Sequence, residues 1–515
     1  MIPLYSISLA TALLLGHSLP ADKTSERIEA MEAQIKTLQT ELDAMKNAKA
    51  AEASKAKEDD TDEHLDDLEK QISSINRKTA GNHLKLGADF RTALDNLRYK
   101  MADGSEQSND ALLTNRLWLN MKWPATAHIS FTGQLAYNKA FGYRTGFGGS
   151  APGFETFDWI TNENAYDDTV RVRSAYFFYR NDTFLGSDIP WTFSIGRRPS
   201  TNGHLINYRD DDPSASPMGH NINVEFDGLS SKFSFEALTG ISGMYVKFCA
   251  GRGGTNANAK FFTLDMNSSN PSSAAPYVTN NTDIPDIDLA GLIFVPYDDG
   301  RYSLNTQYYY AWHLIDADFG TDPMHPAFSG MEDVGNLHAV TANIIVNGIG
   351  DGWSDFTDDT LFFLSGAVSI TEPKKSAQGM LGSTDSKTGY SYWIGLQMPT
   401  GFSELGRFGL EYTHGSEYWR SITYAEDTNI GSKVAARGNA YEAYYTDFLI
   451  EDVLSFQIRY TYIDYDYTGS NGFFGSSTGT PYKISDLDAN PALAGLAKNT
   501  VDTAQDIRFY LRYRW

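Results

Sequence analysis

The sequence has 515 residues and a formal net charge of −23, from 42 Lys and Arg residues against 65 Asp and Glu residues. Apolar residues make up 41% of the chain, which is enough for a folded core. The acidic excess argues against a nucleic-acid-binding protein, because such proteins present a basic surface. The single cysteine, Cys249, excludes an internal disulfide framework, a cysteine-based zinc site and haem attachment through paired cysteines.

Residues 1–21 have the features of a secretory signal peptide. Residues 7–15 form a short apolar run, and Ala21 supplies a small residue at the expected cleavage position. The run is too short to cross a bilayer as a helix. We therefore expect the chain to be exported and cleaved after residue 21.

Residues 22–80 contain a heptad pattern, which predicts a helical coiled-coil segment. Apolar residues recur at alternating spacings of three and four positions between Ile28 and Met45. A second, shorter seam at residues 65–75 is out of register with the first. We favour a coiled coil between subunits. The alternative is one amphipathic helix that lies on the β-barrel that the rest of the chain is predicted to form. The seam residues do not distinguish a dimer from a trimer, and we expect a homotrimer.

From residue 81 to residue 515 the period changes to two, which is typical of β-strands. In the last segment, apolar residues from Ile507 to Trp515 alternate with charged residues such as Arg508 and Arg512. A strand with one apolar and one basic face fits a barrel in a lipid bilayer. We interpret Phe509, Tyr513 and Trp515 as an insertion signal read by the barrel-assembly machinery.

Sixteen such runs follow one another, each about as long as a tilted strand across a bilayer. They lie at 84–94, 111–123, 126–138, 170–180, 190–198, 222–233, 243–252, 287–296, 301–313, 336–347, 359–370, 389–399, 405–416, 439–449, 452–465 and 503–515. Tight connectors alternate with long polar loops, as in outer-membrane barrels. The predicted fold is therefore an all-β, antiparallel, up-and-down transmembrane β-barrel of about 16 strands. Both chain ends fall on the short-turn side, which places the coiled coil in the periplasm of a Gram-negative bacterium.

Basic residues dominate the face of these strands that is turned away from lipid. We predict that they line the pore, and the set is Arg91, Arg116, Arg171, Arg173, Arg198, Arg459, Arg508 and Arg512. In one interpretation these side chains are solvated and paired with loop carboxylates. In the other they face acidic residues of an infolded loop and create a transverse field at a constriction.

The loop at residues 199–221 is the candidate for that infolded segment. It contains three consecutive carboxylates, Asp210, Asp211 and Asp212, which repel one another and need a partner or water. A row of arginines on the barrel would supply the partner. The alternative is a solvated or divalent-ion-binding surface turn.

Six stretches carry a family resemblance. They are ALLTNRLWLNMK (111–122), FDWITNENAYDDTV (157–170), NDTFLGSDIPWTFSIGRRPSTNG (181–203), FVPYDDG (294–300), YWRSITYAEDTNIGSKVAARGNAYE (418–442) and RYTYIDYDYTGSNGFFG (459–475). The sequence resembles an uncharacterised, domain-of-unknown-function family of predicted Gram-negative outer-membrane porins. Its N-terminal part loosely resembles the periplasmic coiled coil of substrate-selective trimeric porins. The resemblance implies an outer-membrane barrel with channel function, and it implies no solute and no site residues.

Motifs of other chemistries are missing from the sequence. We find no HExxH metal motif, no GxSxG nucleophile elbow and no phosphate-binding GxxxxGK[ST] loop. The sequence therefore predicts a porin without enzyme activity, metal or cofactor, which passes ions and small hydrophilic solutes by passive diffusion. We expect a weak anion preference, outer-membrane lipid as surroundings and no nucleic-acid partner. The alternatives are an outer-membrane tether or adhesin that anchors through the coiled coil, and a barrel that sheaths an electron-transfer partner.

Overall fold

The computed structural model describes most of the chain after residue 83. The described residues are 84–142, 169–200, 203–213, 215, 218–257, 263–264, 273–274, 285–318, 330–350, 352–375, 379–423, 426–470, 480–487, 489–491 and 493–515. The described residues within 85–123 and 128–515 form one compact unit. The predicted signal peptide and coiled coil lie outside the described residues and stay predictions.

Sixteen long antiparallel strands form a closed barrel in the described part of the chain, which confirms the predicted fold class. They are β1 (Lys85–Met101), β2 (Glu106–Pro124), β3 (Ile129–Ala140), β4 (Arg171–Asn181), β5 (Trp191–Ser200), β6 (Ile222–Ser234), β7 (Tyr245–Gly254), β8 (Ile287–Asp298), β9 (Tyr302–Asp318), β10 (Gly330–Asn347), β11 (Leu361–Pro373), β12 (Thr388–Thr400), β13 (Ser403–Gly415), β14 (Gly438–Ile450), β15 (Leu454–Tyr465) and β16 (Val501–Arg514).

Shorter elements lie between the barrel strands. The two-residue strands are Thr263–Leu264, Ser273–Ala274 and Ile422–Thr423, and a 3₁₀ turn spans Ile484–Asp486. The α-helices are α1 (Ile206–Arg209), α2 (Glu236–Thr239), α3 (Asp355–Asp358) and α4 (Ala494–Ala497). Among the described residues, none of the helices combines the length and the apolar character needed to cross a membrane.

The first and last strands pair with each other and close the sheet. Arg91 of β1 lies opposite Arg512 of β16 on one side and opposite Arg116 of β2 on the other. Closure satisfies the backbone hydrogen bonds of both terminal strands, which lipid could not do. It also brings basic residues from the two ends of the sequence onto one part of the inner surface.

The outer face of the barrel is apolar, as the period of two predicts. On β1 the outward Leu86 is 58% exposed while the inward Arg91 is 4% exposed. On β16 the outward Phe509 is 41% exposed while the inward Arg508 is 2% exposed. Exposed apolar side chains recur around the barrel and form the surface that lipid would cover.

The first hairpin differs from the prediction. The predicted runs end at residue 94 and begin again at residue 111, but β1 continues to Met101 and β2 begins at Glu106. A tight turn with Gly104 at φ 81° joins the two strands. Polar residues such as Asn96, Arg98 and Asp110 end the apolar alternation although the hydrogen-bonded ladder continues.

Connectors at the two ends of the barrel differ in length. At one end, here the turn end, short connectors such as 299–301, 401–402 and 451–453 join the strands, together with longer ones such as 235–244 and 348–360. The opposite end, here the loop end, carries the longest connectors and also the tight turn at 102–105. Two of these long loops fold back into the barrel interior.

Candidate functional site

Inner loop A, residues 203–221, crosses the barrel interior; residues 214, 216 and 217 of it are not described. The backbone N–H of Met218 donates to Gln307 of β9 over 2.9 Å. The side chain of Gln457 on β15 donates to the carbonyl of Arg209 over 2.8 Å. Because β9 and β15 are separate parts of the barrel, these contacts hold the loop inside it.

Inner loop B, residues 416–437, is the second infolded segment and is described except for residues 424 and 425. Ile422 pairs in parallel with Ile222 at the start of β6, so loop B adds a short strand beside the end of loop A. Trp419 is fully buried, and its indole N–H donates to the carbonyl of Val434 over 2.8 Å. The apolar residues of loop B therefore pack inside the barrel instead of meeting solvent.

The three predicted aspartates of loop A all contact arginines. Asp210 lies 3.0 Å from Arg209, Asp212 lies 2.7 Å from Arg512, and Asp211 lies 3.1 Å from Arg514. Burial alone would raise the pKa of the Asp210 carboxyl, but the charge of Arg209 outweighs it and lowers this pKa below its ordinary value. The loop thus lies in the barrel, while its role as a constriction stays a prediction.

The eight predicted basic residues fall into two groups. Six are almost fully buried, namely Arg91, Arg116, Arg173, Arg459, Arg508 and Arg512. Arg171 and Arg198 are partly exposed. Several arginines of the first group are paired with carboxylates. Asp89 lies against Arg512 and 3.6 Å from Arg116, and Glu225 lies 3.3 Å from Arg173.

Asp427 of loop B contacts three arginines of the barrel wall. Its two carboxylate oxygens accept from the two terminal nitrogens of Arg91. Its carbonyl oxygen accepts from Arg459 over 2.7 Å and from Arg508 over 2.6 Å. Burial opposes the charged carboxylate, but Arg91 and Arg508 outweigh this effect and hold the pKa of Asp427 well below its ordinary value.

A lysine of loop B lies between two glutamates. Lys433 contacts Glu411 of β13 over 2.6 Å and also Glu442 of β14. Glu442 in turn lies 3.3 Å from Arg209 of loop A and accepts from the Thr461 hydroxyl over 2.8 Å. Glu442 therefore joins both inner loops to the barrel.

The sequence prediction missed Asp427 and Lys433, because loop B was expected to be an ordinary polar loop. One signal was available. Trp419, Ile422 and Val434 recur in a stretch that would be in solvent if the loop pointed outward. Apolar residues concentrated in a long loop favour burial.

The inner surface of β2 to β7 has a different character. Lys122 is exposed, and Arg198, Lys232 and Lys247 are half-buried. On β10 to β16, by contrast, inward side chains such as those of Thr341 and Ser365 are fully buried. The inner loops thus contact the inner surface of β9 to β16, whereas β2 to β7 carry accessible basic side chains beside buried ones such as Arg116 and Arg173.

His220 at the end of loop A is buried between aromatic rings. Its ring nitrogens lie 2.8 Å from the Ser365 hydroxyl and 2.9 Å from the Ser391 hydroxyl. The rings of Trp393 and Trp419 pack against it edge-on. Burial lowers the pKa of His220 to about 3.

This lowered pKa predicts a loss of stability in acid. An unfolded histidine takes up a proton near pH 6.5, whereas His220 in the folded barrel resists protonation down to about pH 3. The free energy of unfolding should therefore fall as the pH drops below about 6.5, with a contribution of at most about 1.4 kcal/mol per pH unit. Urea unfolding of the wild type and of His220→Gln between pH 4 and pH 8 measures this contribution. Equal pH slopes in the two proteins would contradict the assignment.

No group of three or more His, Cys, Asp or Glu side chains is placed to hold a metal ion in the described ranges. The acidic residues of loop A lie against arginines instead. The interior is thus a network of ion pairs between strands and loops.

Residues 106–515 match the family described as "Protein of unknown function (DUF3373)", and the chain belongs to this family. The family resemblance predicted from the sequence is confirmed. No curated protein matches the sequence.

Solved structures similar to this chain include three bacterial outer-membrane proteins. They are an anion-selective porin from Comamonas acidovorans, OmpF of Salmonella typhi in complex with daunomycin, and OprB of Pseudomonas putida. Their sequences are 10%, 10% and 12% identical to this one, with TM-scores of 0.44, 0.43 and 0.43. The matches cover 84%, 84% and 85% of this chain and 99%, 99% and 96% of the other chains.

Proposed function

We propose that this member of the DUF3373 family forms a water-filled outer-membrane channel for passive diffusion of ions and small hydrophilic solutes, with a weak anion preference. The observation that carries the proposal is the closed 16-strand barrel with an apolar outer face and a charged interior. A barrel of this strand number is wide enough to leave an aqueous channel unless loops fill it. Here two inner loops occupy part of the interior.

The proposed path for solutes follows the inner surface of β2 to β7. Lys122, Arg198, Lys232 and Lys247 are accessible there, so the field along the path favours anions. Inner loops A and B narrow the path from the other side. The arginines around Asp427 and Asp212 serve mainly to hold these loops, since carboxylates compensate their charges.

The proposed orientation places the turn end in the periplasm and the loop end outside the cell, as in other outer-membrane barrels. The predicted coiled coil would then lie in the periplasm and join three copies of the chain. Phe509, Tyr513 and Trp515 lie exposed on and beyond β16, where the barrel-assembly machinery could read them.

A second candidate function is a plugged barrel that anchors the envelope through the N-terminal segment. The burial of Asp427, Lys433 and Trp419 inside the barrel favours this candidate, because a filled interior conducts poorly. The two candidates differ in whether the folded protein conducts ions.

The purified protein in a planar lipid bilayer under a KCl gradient tests the proposal. We expect stepwise conductance and a reversal potential that shows a modest preference for chloride. Lys122→Glu should reduce this preference, because Lys122 is an exposed residue on the inner face of β2. Arg98→Glu is the matched control, since it makes the same charge change at an exposed residue near the loop end of β1.

Three outcomes separate the hypotheses. Steps that close in threes support a trimer. Cation preference overturns the anion preference but leaves a channel. Absence of conductance from folded, heat-modifiable protein overturns the channel and favours the tether.

A further inference from the structure

A group of three basic residues lies on the inner surface of β5 to β7. Lys232 of β6 and Lys247 of β7 are partners in the strand register. Arg198 of β5 reaches the same area, where its guanidinium donates to the hydroxyls of Ser194 and Ser230. All three basic side chains are half-buried, so they are confined but still reachable.

Aromatic rings, not carboxylates, support two of these cations. The Lys232 ammonium lies 3.9 Å from the centroid of the Tyr245 ring, and the Arg198 guanidinium lies 4.9 Å from that of Tyr176. Within the described part of the chain, neither Arg198 nor Lys232 forms a salt bridge. Cation–π contacts fix the position of a cation without neutralising it.

The group therefore keeps a positive potential. Arg198 and Lys232 both lie close enough to oppose the charge of Lys247. The field of one carboxylate, Asp298 at the end of β8, reaches Lys232. Arg198 and Lys232, which form no salt bridge in the described part of the chain, carry two positive charges against the one carboxylate, and this leaves an excess that a small anion would balance.

We propose that Arg198, Lys232 and Lys247 form an oxyanion-binding site in the lumen, which takes small solutes that carry phosphate-like or carboxylate groups. Arginine presents several N–H groups in a planar fork that matches such oxygens, and lysine adds point charge. This inference rests on the proposed function, because solutes reach the site through the channel.

Cys249 provides a reporter at this site. It is the only cysteine of the chain and the register partner of Ser230, which Arg198 contacts. It is partly accessible, and it lies in the field of Lys247 and Arg198. The wild-type protein can therefore be labelled without engineering.

The experiment compares two methanethiosulfonate reagents on folded protein in a phosphate-free sugar detergent. One reagent carries a sulfonate and the other a trimethylammonium group. For each thiol we divide the labelling rate of the sulfonate reagent by that of the trimethylammonium reagent. We expect this ratio to be about tenfold higher at Cys249 than on a small free thiol. Inorganic phosphate should slow the labelling, whereas an equal ionic strength of KCl should slow it less.

Variants identify the residues. The double variant Lys232→Gln/Lys247→Gln should lose both the sulfonate preference and the protection by phosphate. Lys232→Arg/Lys247→Arg should keep them, and Lys122→Gln is the control for a lumen charge outside the group. Heat-modifiable migration on gels shows that each variant is folded.

The labelling separates failure of the site from failure of the channel. An unreactive Cys249, an unchanged reagent ratio or the absence of phosphate protection overturns the oxyanion site. Block of the KCl current by millimolar phosphate in bilayers supports it further. Absence of conductance contradicts only the proposed function, because the labelling still tests the site.

Discussion

Asp427→Asn is expected to lower the free energy of unfolding of the barrel by about 3–5 kcal/mol, since loss of one partner leaves a buried charge uncompensated. The Asp427 side chain is 4% exposed, as is that of Arg91, which it contacts with both oxygens. Arg508 lies 3.5 Å from the same carboxylate. Neutralising Asp427 therefore leaves the buried guanidinium of Arg91 without its carboxylate, whereas Arg508 keeps its contact with Asp95.

Urea unfolding in detergent, followed by tryptophan fluorescence and by gel mobility, measures this loss. Asp211→Asn is the matched control, because Asp211 also pairs with an arginine but its side chain is 59% exposed. An exposed pair contributes about 0–1 kcal/mol. Equal stability of Asp427→Asn and Asp211→Asn would refute the central role of Asp427.

A double-mutant cycle tests the cause of the loss. If the cost arises from uncompensated charge, Arg91→Met should restore part of the stability in the Asp427→Asn background. Additive losses would instead mean that Arg91 and Asp427 stabilise the barrel through separate contacts. The cycle therefore distinguishes charge compensation from packing.

The outer face of the barrel was predictable from the sequence because lipid imposes a local rule. Every second residue of a strand in the bilayer must be apolar. Segments such as 503–515 therefore identify both the strand and which of its side chains point to lipid. The strand number and the inward direction of Arg508 and Arg512 followed from this rule alone. The rule ends where the membrane ends, which is why the extension of β1 to Met101 was missed.

The interior was less predictable because its contacts span long distances in sequence. Arg91 and Asp427 are 336 positions apart, and nothing near either residue identifies the other. The three aspartates of loop A were recognisable because they are consecutive and need partners. Asp427 follows Glu426 in a stretch of ordinary loop composition, so only the fold brings it to the arginines.

Replacing residues 419–435 by a short Gly-Ser linker is expected to raise the single-channel conductance on the order of twofold, since conductance grows with the open cross-section. The hairpin can close without this segment, because Gly415 at the end of β13 and Gly438 at the start of β14 are register partners. The variant should also admit larger uncharged polymers, which polymer exclusion in planar bilayers measures.

Charge does not explain the expected increase, because the removed segment carries two acidic residues, Glu426 and Asp427, and two basic residues, Arg420 and Lys433. Its formal charge is zero, so a higher conductance would result from a wider pore and not from a change in charge. Water would enter the vacated space and solvate Arg91 and its neighbours, which makes this change milder for folding than Asp427→Asn. Asp427→Asn is the control for pore width, because it leaves the volume of loop B unchanged. It should therefore change stability more than conductance.

An unchanged conductance after loop replacement would show that ions pass along the β2 to β7 side regardless of loop B.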